Sequence, residues 1–199
     1  MAGWALALMG LYLALAFGLR VAVALRTTGQ SGIALRSIPP IELLGGTLFF
    51  VGVALGAANP ALALADVIEP GSELDVTASH AAGFVLCAIG IAGTFYAQLA
   101  MGSSWRIGVD PGERTELVTG GIFTLCRNPI YTFMVIAWIG FALLVPTWLV
   151  ATAGVLLVVG LQIQVRLVEE PHLLRTHGEP YAAYARRVGR FVPGLGRLD

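Results

Sequence analysis

Two polar stretches in the C-terminal half of the chain hold most of the side chains that could take part in chemistry. The first spans residues 102–131 and ends in the pentad from Arg127 to Tyr131, and the second spans residues 166–193 and contains the adjacent carboxylates Glu169 and Glu170. The asparagine and proline of the pentad are typical of a helix start, where unpaired N–H groups favour a carboxylate or a nucleotide. Arg127 could equally anchor the chain at a membrane surface.

The two carboxylates suggest either a ligand site or a simple structural role. Arg166 precedes Glu169 by three residues and Glu170 by four, so one face of a helix would carry all three charges. The structural role is a salt bridge within that helix. In a ligand site, Arg166 pairs with one carboxylate, and the other can hold an amino group or a ribose hydroxyl. Charged groups at membrane depth are candidates for function because they are costly there.

Tyr181 and Tyr184 are three residues apart, so a helix places both rings on one face. They could form an aromatic belt at the level of lipid headgroups, or they could wall an adenine pocket by stacking and hydrogen bonding. Arg187 and Arg190 continue this face, where they could bind a lipid phosphate or a substrate carboxylate.

The composition indicates that these stretches border a membrane. The chain has 199 residues, of which 57% are hydrophobic and 12% are charged, whereas soluble domains carry about 25% charged residues. The formal net charge is zero, which excludes a strong field for attracting nucleic acid. Cys87 and Cys126 lack metal-ligand spacing, and His172 and His177 are not four residues apart as in helical zinc sites, so we expect no metal.

Five apolar runs are long enough for membrane helices, so the sequence predicts an all-α integral membrane protein in a lipid bilayer. The predicted spans are residues 4–25, 41–64, 80–101, 129–145 and 148–167. The last two are separated by two residues only and must form an antiparallel hairpin. Arg20 interrupts the first run and is expected to snorkel to the membrane surface. Gly52 and Gly56 favour a close helix contact, although glycine is also simply common in membrane helices.

The arginines set the predicted orientation, because cytoplasmic loops of membrane proteins carry an excess of basic residues. Residues 26–40, 102–128 and 168–199 contain arginines, whereas residues 66–79 and the turn at 146–147 contain none. Five spans place the three arginine-bearing segments on one side, so we expect the N-terminus outside and the C-terminus in the cytoplasm. All 12 basic residues are arginine. With the alanine, glycine and valine content, this suggests a GC-rich bacterial genome and hence the bacterial inner membrane.

Four short motifs follow one another in the C-terminal half, with the membrane hairpin between the first two. They are R-N-P-x-Y at 127–131, E-E-x-x-L at 169–173, G-x-x-Y-x-x-Y at 178–184 and R-F-V-P at 190–193. In this order they resemble the isoprenylcysteine carboxyl methyltransferase family over residues 101–195. Asn128 departs from that family's usual histidine, and an amide cannot titrate near neutral pH.

The resemblance implies a membrane methyltransferase that binds S-adenosylmethionine in a cytosolic pocket of its C-terminal half. Residues 1–101 would form three membrane helices, and residues 102–199 would form the catalytic half with the hairpin 129–167. Carried over to this chain, the cofactor-binding residues are Val118, Gly121, Phe123, Arg127, Asn128, Pro129, Tyr131, Glu169, Glu170, Leu174, Tyr181 and Tyr184. The catalytic candidates are Glu169, Glu170, Arg187 and Arg190.

The sequence leaves the methyl acceptor open. It could be a lipophilic or small molecule that carries a carboxylate, a thiol or an amine. Relatives in the same enzyme class are phospholipid N-methyltransferases and methanethiol S-methyltransferases. Two other hypotheses are an NADPH-dependent membrane enzyme of the sterol-reductase type and a membrane scaffold without activity. Binding of S-adenosylmethionine or of NADPH would distinguish the three.

Reporter fusions at two positions test the predicted orientation. The arginine asymmetry places residues 66–79 outside the cytoplasm and Asp199 inside it. A reporter that is active only in the cytoplasm should therefore work at the C-terminus and stay silent in the acidic loop. The reverse pattern would contradict the orientation, and with it a cytosolic cofactor pocket.

Overall fold

A computed structural model describes residues 1–29, 31, 39–71, 76–106 and 116–198, and the regular elements in these residues are helices. The α-helices of the described residues are α1 (Ala2–Leu13), α2 (Arg20–Thr28), α3 (Pro40–Leu64), α4 (Thr77–Ala100), α5 (Pro129–Leu144), α6 (Trp148–Ile163), α7 (Glu170–His177) and α8 (Glu179–Arg187). Two π-helical segments, Ala14–Leu19 and Gln164–Glu169, join α1 to α2 and α6 to α7 without a break. Short 3-10 turns occupy Gly102–Ser104 and Gly121–Thr124.

Four continuous helical stretches are long and apolar enough to cross a membrane, namely Ala2–Thr27, Pro40–Leu64, Thr77–Ala100 and Trp148–His177. Helix α5 is also apolar but shorter, with 16 residues. The prediction of an all-α membrane protein with about five membrane helices is therefore confirmed.

The last of these stretches does not end at residue 167 as predicted, but continues to His177. The prediction ended the span at Leu167, just before the adjacent carboxylates Glu169 and Glu170. In the structure those charges find partners within the protein, so the helix continues through the π-helical segment. Glu169 and Glu170 consequently lie inside a continuous helix and not at the end of one.

Glycines bring the helices into close contact. Helix α4 packs along α5, and α3 packs along α6. A Cβ atom on Gly90 would lie 2.3 Å from the backbone nitrogen of Ala137, and one on Gly52 would lie 2.8 Å from a carbonyl oxygen of α6. Gly56 lies against the ring of Trp138 with no room for a Cβ atom. The predicted close contact at Gly52 and Gly56 is confirmed.

Helix α3 also holds the turn of the hairpin between α5 and α6. The Nδ2 of Asn59 donates to the carbonyl oxygen of Val145 at 3.1 Å, and its Oδ1 accepts from the hydroxyl of Thr147 at 2.5 Å. Thr147 in turn caps α6 by accepting from the N–H of Val150 at 3.1 Å. These buried bonds fix the directions of α5 and α6 at the hairpin turn. They therefore help to position the opposite ends of the two helices.

Arg20 is buried within the protein, where its guanidinium group lies beside the end of α4, and its expected reach to the membrane surface stays a prediction. The residue is 2% exposed, its Nη2 donates to the carbonyl oxygen of Gly102 at 2.5 Å, and its guanidinium group lies 4.6 Å from the ring centre of Trp105. Nearby, the Nε2 of Gln98 donates to the carbonyl oxygen of Ala16 at 3.0 Å. The first helical stretch is thus tied to the end of α4 by these two hydrogen bonds, although the Nε of Arg20 has no hydrogen-bond partner among the described residues.

Candidate functional site

The two polar stretches predicted to meet do so at the start of α5. The N–H of Arg127 donates to the carbonyl oxygen of Gly189 at 2.8 Å, and the N–H of Asn128 donates to that of Arg190 at 3.0 Å. Asn128 precedes α5 and Pro129 begins it, as predicted, but the asparagine side chain does not cap the helix. Its Nδ2 donates instead to the carbonyl oxygen of Arg190 at 3.0 Å, which ties it to the second stretch.

Arg127 is buried and holds the C-terminal segment, so its interpretation as a membrane anchor is wrong. Its Nη1 donates to the carbonyl oxygens of Ala185 and Val188, at 2.8 and 2.6 Å. Its Nη2 donates to Gly196 at 3.1 Å and to a carboxylate oxygen of Glu170 at 2.5 Å. Arg127 is 6% exposed. Its terminal nitrogens are therefore bonded within the protein.

Glu170 forms an ion cluster with Arg127 and a second arginine, Arg190. The Nε of Arg190 donates to Oε1 of Glu170 at 2.7 Å, and its Nη2 donates to Oε2 at 2.8 Å. The carboxylate raises the pKa of Arg190 above its ordinary value, so this guanidinium is always charged. Both oxygens of Glu170 are occupied by arginines.

The predicted pairing of Arg166 with one of the carboxylates is wrong. The Nε of Arg166 donates to the side-chain oxygen of Gln162 at 2.7 Å, and Arg166 is exposed. Arg166 does not pair with Glu170 because both oxygens of Glu170 are bonded to Arg127 and Arg190, whereas Arg166 is on the exposed side of the helix.

Glu169 has a different environment from its neighbour. It is half-buried, one of its oxygens accepts from the hydroxyl of Tyr131 at 2.6 Å, and its other oxygen has no partner among the described residues. Glu42, at the start of α3, is buried and close enough to Glu169 for the two carboxylates to repel each other. Sequence reasoning missed Glu42, although a carboxylate at the start of an apolar run is itself a signal. Of the adjacent carboxylates, Glu169 is the one with an oxygen available to a ligand.

Tyr181 and Tyr184 are buried, so their interpretation as an aromatic belt among lipid headgroups is wrong. They are 2% and 4% exposed, and their ring centroids lie 6.2 Å apart in an edge-on arrangement. The hydroxyl of Tyr184 donates to the carbonyl oxygen of Phe123 at 2.6 Å. Burial raises the pKa of Tyr181 to about 12, so its phenol is neutral under physiological conditions. The two rings join α8 to the segment before the pentad, where Leu117 packs against them.

The other predicted site residues differ in how they relate to this cluster. Gly121 has a φ of +58°, and a Cβ atom on Gly120 or Gly121 would meet no atom within 4 Å, so open space borders this turn. Val118 is half-buried in the same segment. Leu174 and Arg187 are exposed, and neither takes part in the hydrogen bonds that join the two stretches. Of the arginines predicted to be catalytic, only Arg190 is brought to the carboxylates.

Two residues near the pentad had no predicted role. The hydroxyl of Thr132 lies 2.7 Å from the carbonyl oxygen of Phe191 and 3.1 Å from that of Asn128, so it supports the same junction. A threonine in a first helical turn gives no distinctive signal in a sequence.

Cys126 is buried, and burial raises the pKa of its thiol, which disfavours the reactive thiolate.

A model of the phospholipid methyltransferase family matches residues 78–180. The chain belongs to this family. The predicted membrane methyltransferase is thereby confirmed. The match supports neither of the other two hypotheses, the NADPH-dependent membrane enzyme and the membrane scaffold. The matched part of the methyltransferase includes Arg127, Tyr131, Glu169 and Glu170, and it ends just before Tyr181.

The methyltransferase also shares its fold with a solved membrane enzyme. The eukaryotic intramembrane Ras methyltransferase, an isoprenylcysteine carboxyl methyltransferase, superposes with a TM-score of 0.62 at 19% sequence identity. The alignment covers 96% of this chain and 68% of that chain. At this identity the similarity shows the fold. None of the curated proteins matches the methyltransferase.

Replacing Arg127 by lysine should destabilise the methyltransferase, because an ammonium group cannot reproduce a planar fork that bonds to four acceptors. We expect a loss of about 1.5–3 kcal/mol in the free energy of unfolding, the range for hydrogen bonds to charged groups. Arg186→Lys is the matched control. Arg186 pairs with Glu179 on the surface, where both side chains are well exposed, so its loss should cost about 0–1 kcal/mol. Thermal unfolding in detergent measures both, and equal stability of the two variants would contradict a structural role for Arg127.

Proposed function

We propose that this methyltransferase uses S-adenosylmethionine as its methyl donor and binds it where the two polar stretches meet. The observation that carries the proposal is the difference between the adjacent carboxylates. Both oxygens of Glu170 are bonded to arginines, whereas Glu169 has one oxygen bonded to Tyr131 and one without a partner among the described residues. A half-buried carboxylate with an available oxygen suits an ammonium group or a ribose hydroxyl, both of which this donor carries.

A turn in the first polar stretch offers space for part of such a ligand. A Cβ atom on Gly120 or Gly121 would meet no atom within 4 Å, and we assign this turn to contacts with the donor. Val118 and Phe123 flank this turn in the sequence and would supply apolar surface. We assign Tyr131 to direct binding together with Glu169, because its hydroxyl orients that carboxylate.

Several residues implied by the family resemblance are better suited to positioning than to direct binding. The terminal nitrogens of Arg127, the side-chain nitrogen of Asn128 and the hydroxyl of Tyr184 are used in bonds within the protein. The same holds for Glu170 and Arg190, which bond to each other. We propose that these five residues hold the two stretches together so that Glu169 and Tyr131 face the donor.

When bound, S-adenosylmethionine supplies an electrophilic methyl group on a sulfonium whose positive charge is lost on transfer. The chain itself contributes orientation of the acceptor towards this methyl group and the exclusion of water from the site. The cluster around Glu170 fixes α7 and the start of α5, close to Glu169 and Tyr131. Because Glu170 is bonded by two guanidinium groups, Glu169 is the carboxylate better able to accept a proton from a neutral amine or thiol.

We further infer that the acceptor is a membrane lipid and that the reaction takes place at the cytoplasmic surface. The family is that of phospholipid methyltransferases, and the helices present large apolar side chains such as Trp148 and Val155 on their outer surface. The arginine asymmetry supports a cytoplasmic position for the site. The arginine-only basic composition supports a bacterial inner membrane.

Calorimetry on the detergent-solubilised methyltransferase tests the donor site. The parent should bind S-adenosylmethionine and not NADPH. Glu169→Gln should weaken binding by about 1.5–3 kcal/mol, or at least about tenfold, because it removes a charged hydrogen-bond acceptor. Tyr131→Phe should weaken binding in the same direction, because Glu169 loses its orienting hydrogen bond.

Glu179→Gln is the matched control, because Glu179 is an exposed carboxylate that pairs with Arg186 on the surface. It should bind the donor like the parent. If the parent does not bind S-adenosylmethionine, the proposed cofactor is wrong. If Glu169→Gln binds as tightly as Glu179→Gln, the donor site lies elsewhere.

A further inference from the structure

The chain after α8 forms a loop, residues 191–197, that presents apolar side chains on the surface of the protein. Val192 is 49% exposed and Leu195 is 66% exposed, and Pro193 between them is exposed as well. Contiguous apolar side chains on a surface mark a contact with a membrane or with another protein. The 191–197 loop therefore calls for a partner outside the chain.

The backbone of the 191–197 loop is fixed, so this exposure does not come from a frayed end of the chain. The N–H of Arg190 donates to the carbonyl oxygen of Leu195 at 2.7 Å, and the N–H of Leu195 donates to that of Val192 at 3.1 Å. The loop folds closely around Gly189, where a Cβ atom would collide with these same two carbonyl oxygens. The loop thus turns backbone groups inward and holds its apolar side chains outward.

The 191–197 loop is attached to the first turn of a membrane helix. The hydroxyl of Thr132 in α5 lies 2.7 Å from the carbonyl oxygen of Phe191. Helix α5 has 16 residues and is therefore about 24 Å long, which is less than the roughly 30 Å of a hydrocarbon core. At its other end the hairpin turn is followed by Trp148, which is 71% exposed and suits the opposite membrane boundary. The first turn of α5, and with it the loop, consequently lies at the level of the lipid headgroups.

The charges around the 191–197 loop are complementary to an anionic membrane surface. Residues 180–198 contain four arginines and no acidic residue. Arg186 and Arg190 pair with glutamates elsewhere in the chain, whereas Arg197 is exposed. Its Nη2 lies 3.6 Å from the position of a Cβ atom on Gly194, so its guanidinium group folds back towards the tip of the loop. A cation thus accompanies the apolar side chains, as in segments that bind anionic leaflets.

We propose that the 191–197 loop is inserted in the leaflet at this end of the helix bundle, which the arginine asymmetry makes the cytoplasmic one. Val192 and Leu195 lie among the upper parts of the acyl chains, and Arg197 binds the phosphate of an anionic lipid. The carbonyl oxygen of Gly196 accepts from Arg127 at 3.1 Å, so the inserted loop and the buried ion cluster support each other. The proposed contact does not depend on the donor or on methyl transfer.

Fluorescence quenching of the full chain in lipid nanodiscs tests where the loop lies. Val192→Cys and Leu195→Cys each carry a thiol-reactive fluorophore, and the labelled parent gives the background from the buried Cys87 and Cys126. A nitroxide on the lipid acyl chain, close to the headgroup, should quench both fluorophores, whereas iodide in the water should not. Both side chains are exposed, so the variants should fold, and thermal unfolding checks that they do.

Glu179→Cys is the matched control, because Glu179 is an exposed carboxylate that pairs with Arg186 on the surface of α8. A fluorophore at this position should show the opposite pattern, with quenching by iodide and not by the nitroxide lipid. If both loop positions behave like Glu179→Cys, the loop faces water and the proposal is overturned. Protection of both loop positions from both quenchers would show that a protein covers the loop, and would overturn it as well.

The lipid composition of the nanodiscs tests the assignment of Arg197. Adding phosphatidylglycerol to phosphatidylcholine should increase the quenching of the fluorophore on Leu195→Cys by the nitroxide lipid. Arg197→Gln in the same labelled protein should remove this increase, whereas Arg175→Gln, on an exposed arginine of α7, should keep it. An increase that survives in Arg197→Gln, or no increase in any of these proteins, would overturn the binding of an anionic headgroup by Arg197.

Discussion

The buried ion cluster of Glu170 with Arg127 and Arg190 joins three parts of the chain that are distant in sequence. These parts are the long last membrane helix, the short segment that leads into α5, and the segment after α8. Removing charges from water is costly, and the cost is offset here because both carboxylate oxygens and most guanidinium nitrogens are bonded. Removing one member would leave a buried charge unpaired, so the whole junction depends on this cluster.

The cluster also explains why two adjacent carboxylates can have different roles. Glu170 begins α7 and points its oxygens at the arginines, whereas Glu169 ends the π-helical segment and accepts from Tyr131. Arg166 lies in the π-helical segment, and its side chain is bonded to Gln162 and not to Glu170. One carboxylate thus stabilises the site, and its neighbour keeps an oxygen for a ligand. Such π-helical turns are frequent at functional sites in proteins.

Much of this arrangement could be predicted from the sequence, because membrane helices follow from the length of apolar runs and the hairpin follows from its short turn. The meeting of the two polar stretches could also be predicted from that topology. The partners of individual charges could not, since Arg127 bonds to residues about 40 to 70 positions away. The burial of the Arg20 side chain could not be predicted from the sequence either, because an arginine near the end of an apolar helix ordinarily reaches the membrane surface. Such pairings depend on tertiary packing and not on local spacing.

Hydrogen exchange of the backbone amides of residues 185–198 tests the central claim, that Glu170 holds the junction while Glu169 serves the ligand. The measurement compares the parent with Glu170→Gln and Glu169→Gln in the same detergent, without added ligand. Glu170→Gln should speed exchange throughout this segment, because Arg127 and Arg190 lose their shared carboxylate. Glu169→Gln should leave exchange as slow as in the parent. Equal protection in all three proteins, or faster exchange in Glu169→Gln alone, would contradict this division of roles.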